Sequence, residues 1–138
     1  MDADSTVRHE DRDVAAGGAR LAVRCYRPAP PRHHAAPTTL VFLHEGLGCI
    51  EMWKGFPAAL AAAAGLRGLA YDRRGHGRSE GLRRARGADY LHRLAFEELP
   101  AVLDACSVAT PVLVGHSDGA TIALLYATRH PTVAVVAL

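Results

Sequence analysis

A serine stands between two glycines at Gly115-His116-Ser117-Asp118-Gly119. The surrounding segment, PVLVGHSDGATIALLYA (Pro111 to Ala127), passes from an apolar run straight into a helical pattern. A serine hydroxyl is a poor nucleophile until its geometry and a neighbouring base activate it. A very tight strand-to-helix turn supplies the geometry, because it exposes the hydroxyl from a strained backbone. Gly115 and Gly119 then let the chain approach itself on either side. The bare GxSxG pattern is a weak signal. A buried strand before it and a helix after it make it a nucleophile elbow, with Ser117 as the candidate for covalent catalysis.

Attack by Ser117 on a carbonyl creates an oxyanion that preorganised donors must meet. The backbone N–H of Asp118, at the start of a helix and backed by its dipole, is one expected donor. A second is expected from HEGLG (His44 to Gly48), whose glycines let backbone N–H groups turn inward. Gly46 is the first choice and Leu47 the alternative. His44 is expected to hold this loop rather than to move a proton. In YDRRGHGRS (Tyr71 to Ser79), Asp72, Arg74 and His76 are expected to tie down a glycine-punctuated turn by ion pairs and hydrogen bonds, and Asp72 is not read as a catalytic acid. Neither GLGCIE nor GHGRSE completes GxGxxG, and GxxxxGK[ST] does not occur, so no nucleotide cofactor is expected.

The elements that must position these residues follow from periodicity. LAVRCY (Leu21 to Tyr26) alternates, with Leu21, Val23 and Cys25 on one face, and reads as a half-buried strand. Gly17 and Gly18 supply a hairpin turn to the preceding VRHEDRDV. Leu40–Leu43, Gly68–Tyr71, Pro111–Gly115 and Val133–Leu138 are continuous apolar runs, the pattern of parallel strands buried on both faces. Helical stretches lie between them: Met52–Ala64 ending at Gly65, Asp89–Cys106, and Asp118–Arg129 stopping before Pro131. Pro100 predicts a kink or a break after Leu99. Pro28 to Thr38 holds four prolines and reads as an exposed loop, with His33 and His34 as solvated histidines rather than metal ligands. Strands alternating with helices imply βαβ units and a parallel sheet within one α/β domain, residues 1–138.

LVFLHEGLG, YDRRGHGRS and VLVGHSDGA, in that order and spacing, resemble the N-terminal half of an α/β-hydrolase-fold serine hydrolase, over roughly Leu21 to Leu138. The polar segment 1–14 precedes the part that carries the motifs. The resemblance implies a mostly parallel sheet with helices on both faces, Ser117 as nucleophile, and the Gly46 and Asp118 N–H groups as oxyanion hole. It is most similar to the esterase, lactonase and carbon–carbon hydrolase branch. Serine at the elbow argues against the haloalkane dehalogenase and epoxide hydrolase branches, which use aspartate there. Glu45 stands where the family usually has glycine.

Family order is nucleophile, acid, then histidine. The 21 residues after Ser117 contain one acid, Asp118, and one histidine, His130. Helical rise places His130 about 20 Å from the serine, too far for a general base. The chain reaches Leu138 inside the sixth strand by the family's count. The expectation is therefore an N-terminal portion, truncated after about the sixth strand and inactive alone. Its open sheet edge would accept a complementing C-terminal half or a second copy. The expected reaction is hydrolysis of an ester, thioester or lactone by an acyl-enzyme on Ser117, without metal or organic cofactor. The alternative is a noncatalytic fragment or pseudoenzyme that serves as a binding module.

Composition narrows the remaining classes. With 138 residues, 49% hydrophobic and 22% charged, the chain is no disordered, collagenous or coiled-coil protein. Its longest apolar stretch, Pro57–Leu66, is well short of the roughly 20 residues needed to span a bilayer, so no membrane partner is expected. No apolar secretory signal stands at the N-terminus and the three cysteines form no CxxC, which points to a reduced compartment, the cytoplasm. Net charge is +2. Six arginines cluster between Arg73 and Arg86 without interleaved aromatics, which reads as a solvated loop rather than a nucleic-acid surface.

Overall fold

The computed structural model describes residues 6–29 and 38–138. His33, His34 and most of the proline-rich loop lie outside the described residues. Six strands form one sheet: β1 Arg8–Ala16, β2 Ala19–Arg27, β3 Thr38–Leu43, β4 Arg67–Tyr71, β5 Thr110–Gly115 and β6 Ala134–Ala137, in the order β1-β2-β4-β3-β5-β6. The first two strands are antiparallel to each other and β2 is antiparallel to β4; the pairs β3–β4, β3–β5 and β5–β6 are parallel. Gly17 and Gly18, with φ of 59° and 75°, make the two-residue turn between β1 and β2. Two consecutive positive φ values match the strand twist.

Helices cover both faces. Leu40, Phe42, Ala70 and Val114 meet Ile50 and Ala61 of α1 (Phe56–Ala64) on one side. Val41, Leu43, Leu69 and Leu113 face the other side, where they meet α2 (Tyr90–Arg93), α3 (Leu99–Ala105) and α4 (Asp118–Arg129). β3 is buried on both faces, which is why its sequence is a continuous apolar run. Arg24 of β2 donates to Asp11 of β1 (2.6 Å) and to Glu51 (2.8 Å), and its guanidinium holds the Asp11 carboxyl well below the usual carboxylate range. Among the described residues no helix is long and apolar enough to cross a membrane.

Several elements differ from the sequence expectation. β2 is buried on both faces over Leu21–Val23, and Tyr26 is buried too, because Tyr26 packs with Phe42 in the α1-side core. Thr38 belongs to β3 rather than to the loop. The helix expected from Met52 begins only at Phe56: Ile50–Trp53 form a 3-10 turn, and Lys54 at φ 53° separates the two. The α-helical pattern is interrupted before Pro100: Leu94–Glu98 widen into a π turn, in which the Leu99 N–H donates to the Leu94 carbonyl, and α3 starts at Leu99 on the same helical path. The wider turn moves the backbone away from the proline ring and removes the demand for its missing N–H. β6 is largely exposed, Val136 at 45%, because none of the described residues lies over its outer side.

Candidate active site

The fully buried Leu113 and Val114 carry β5 into the elbow, where Ser117 takes φ 53° and ψ −116° and leaves its side chain exposed. Two approaches hold that backbone. A Cβ on Gly115 would strike the Gly119 carbonyl, and a Cβ on Gly119 would strike the Leu43 carbonyl at the end of β3. The His116 N–H donates to that same Leu43 carbonyl (3.1 Å), and the Ser117 N–H donates to the Leu138 carbonyl (3.1 Å). A non-glycine residue in this conformation stores about 1 kcal/mol or more. Ser117→Gly is therefore expected to raise the melting temperature by about 3 °C, whereas Ser117→Ala leaves it unchanged. Thermal unfolding of the two variants side by side checks this.

The loop after β3 lies against the elbow. A Cβ on Gly46 would come within 2.8 Å of the Asp118 carboxylate, so a side chain there would push that carboxylate aside. Leu47, the alternative donor, has its N–H committed: it donates to the Glu45 carboxylate at 3.0 Å. The Gly46 and Asp118 N–H groups have no acceptor among the described residues. Asp118 also accepts a hydrogen bond from the Tyr90 hydroxyl (3.1 Å).

Asp72 accepts from the backbone N–H groups of Ile50 (2.7 Å) and Arg78 (2.9 Å), and its Oδ2 lies under Gly77, whose φ is 49°. His76 Nε2 donates to the Gly46 carbonyl (2.8 Å), which ties the third motif to the loop after β3. Arg74 makes only a long contact to the Gly81 carbonyl (3.4 Å). Its neighbour Arg73 does what was expected of Arg74. It is 1% exposed, donates through Nη1 to the His44 carbonyl and through Nη2 to the Glu45 carbonyl (2.9 Å), and its backbone N–H reaches His44 Nε2 (3.1 Å). Sequence reasoning missed Arg73, since adjacent arginines look alike until one is buried.

His44 is locked in one tautomer. Nε2 accepts from Arg73, so Nδ1 carries the proton and donates to the Glu45 carbonyl (2.7 Å). Burial, reinforced by the Arg73 charge, pushes its pKa down to about 3. Between an unfolded value of about 6.5 and that folded value, the unfolded chain binds a proton that the folded chain does not, so stability falls as pH falls, by up to about 1.4 kcal/mol per unit. Urea unfolding at stepped pH should show this slope. His44→Gln should flatten it.

The Ser117 hydroxyl has no hydrogen-bond partner among the described residues. It faces a cleft of roughly 320 Å³ lined by Glu45, Cys49, Met52, Trp53 and His116. His130 stacks on Tyr126 at 4.0 Å, at the far end of α4. No group of three or more His, Cys, Asp or Glu among the described residues could hold a metal.

An exposed serine at a positive-φ turn between a parallel strand and a helix, beside a glycine loop from the adjacent strand, marks a protein of the open α/β class with a tight strand–serine–helix turn. Residues 38–138 match the model of the alpha/beta hydrolase fold family, and the chain belongs to that family. No curated protein matches it. Among solved structures, an epoxide hydrolase from Vigna radiata superposes with a TM-score of 0.74 at 22% identity, over 94% of this chain and 39% of that one. A haloalkane dehalogenase from Agrobacterium tumefaciens gives 0.73 at 24%, over 94% and 40%. A CIB-like hydrolase from Thermoplasma acidophilum gives 0.76 at 21%, over 96% and 63%. The chain thus spans about two-fifths of the first two and under two-thirds of the third. At these identities the likeness is one of fold.

Proposed function

We propose that this chain carries the nucleophile half of a serine hydrolase that cleaves carboxylic esters, thioesters or lactones. The observation that carries the reading is the exposed, strained Ser117 beside two unengaged N–H groups, those of Gly46 and Asp118. Ser117 Oγ attacks the carbonyl carbon and gives its proton to a base. The oxyanion is received by the two N–H groups, and collapse expels the alcohol or thiol and leaves an acyl-serine, which water then cleaves. The choice of serine favours acyl substrates. Opening an epoxide or displacing a halide would leave a serine ether, which water does not cleave, so the reactions named for the epoxide hydrolase and dehalogenase neighbours do not suit this side chain.

The base and acid come from outside the described residues, which by themselves do not complete the site. His44 has both ring nitrogens committed, and His130 stacks on Tyr126 at the distant end of α4. The complementing segment adds to the open edge of β6. The test is fluorophosphonate labelling of the chain alone and of the chain joined with a C-terminal segment that supplies an acid and a histidine. The pair should label at least about 100-fold faster than the chain alone, with the label on Ser117 and absent in Ser117→Ala. Labelling of the pair at the Ser117→Ala rate would overturn the reading and leave a noncatalytic binding module.

A further inference from the structure

The six clustered arginines separate into three roles. Arg73 is buried beneath the loop after β3, and Arg78 pairs with Asp11 across to β1 (3.0 Å). The other four, Arg74, Arg83, Arg84 and Arg86, line one concave cavity of roughly 400 Å³ with Arg93 of α2. Two carboxyls stand in the same wall, Glu97 and Glu98, so guanidiniums exceed them by three. Glu97 is taken by Arg93 (3.4 Å). Burial pushes the Glu98 carboxyl up, towards its uncharged form, which widens the excess.

Part of this donor capacity has no protein acceptor. Arg83 is held by Glu80 (3.4 Å), but Arg74 Nη2 is buried without a hydrogen-bond partner and Arg84 makes no hydrogen bond or ion pair among the described residues; the neighbouring acceptor Glu98 Oε1 is unpartnered too. Arg86 is already oriented: it donates to the Arg74 carbonyl (2.6 Å) and lies over the Tyr90 ring at 5.7 Å. Planar guanidinium forks converging on one concavity match the paired oxygens of carboxylate and phosphate. No residue lines both this cavity and the Ser117 cleft.

We propose that the cavity between segment 74–87 and α2 is a binding site for a small organic polyanion, a phosphate ester or a di- or tricarboxylate, gripped by Arg74 and Arg84. The concavity favours a compact ligand over the extended backbone of a nucleic acid. The site is independent of the hydrolase reading, since binding is measured without turnover.

The test is isothermal titration with citrate and with inorganic phosphate, at ionic strength held constant with sodium chloride. At least one probe should bind saturably with one site per chain. The affinity should fall at least threefold in Arg84→Gln, which loses no contact within the protein, and at least tenfold in Arg74→Gln/Arg84→Gln. Arg27→Gln, outside the cavity, should bind as the parent does. Circular dichroism of each variant establishes that the fold is retained. The absence of saturable binding by both probes, or equal affinity in Arg84→Gln and the parent, would overturn the proposal. So would tighter binding of a short DNA duplex with the same dependence on Arg84, which would mark a nucleic-acid surface.

Discussion

Gly119→Ala should lose about 3 kcal/mol or more of unfolding free energy, the largest effect expected of any single methyl added to this chain. The added Cβ would run into the Leu43 carbonyl, with the His44 carbonyl at 2.9 Å, and both are backbone atoms that no rotamer change can move aside. The Leu43 carbonyl already accepts the His116 N–H, so the elbow and the end of β3 are fixed to each other at that point. Relief requires α4 to lift from the sheet, and Ile122 and Ala123, both fully buried, would be drawn out with it. Gly81→Ala is the matched control. Nothing lies within 4 Å of its Cβ, and the change should stay within about 0.5 kcal/mol. Urea unfolding of the two variants measures the difference. A Gly119→Ala midpoint equal to that of Gly81→Ala would mean that α4 does not seat against β3 as described.

Arg73→Ala should cost about 3 kcal/mol, because it leaves the buried His44 carbonyl without its donor, takes one of three donors from the Glu45 carbonyl and empties the space the guanidinium fills. Arg73→Lys should recover only part of this. A single ammonium can approach one carbonyl well, but it lacks the planar fork that reaches both. Arg74→Ala, which removes only the long contact to Gly81, should cost under about 1 kcal/mol. The order Arg73→Ala, Arg73→Lys, Arg74→Ala in urea midpoint is the check. Equal midpoints for the two alanine variants would contradict the clamp on the loop after β3.

These two sites show where sequence reasoning reaches and where it stops. Gly119 was legible because the demand on it is local: a tight turn with a glycine two residues after the serine states its own steric condition. The alternation of strand and helix was legible for the same reason, since β3 buried on both faces must be apolar throughout. Arg73 and Arg74 are adjacent and identical in type, and nothing within several residues separates them. What separates them is contact with His44 and Glu45, 29 and 28 positions away. Choosing between Gly46 and Leu47 likewise depended on a side chain folding back, that of Glu45 onto the Leu47 N–H. Pro100 was read as a kink or a break after Leu99, and the α-helical pattern is interrupted there by a π turn, with α3 starting at Leu99 and keeping Leu99 and Val102 in the core. β6 shows a third case: an apolar run announces burial on two faces, but exposure is a property of what lies opposite, and Val136 and Leu138 are left exposed by the described residues.

By itself, then, the sequence determined the succession of strands and helices, the elbow at Ser117 and the glycines that permit it. Each of these follows from backbone sterics and periodicity within a few residues. Only the tertiary structure decided which arginine clamps the loop after β3, which loop N–H is left unengaged and which arginines gather around a cavity. Those outcomes depend on which distant groups share a buried space, where an unmatched donor or acceptor is costly enough to select one partner among chemically identical neighbours.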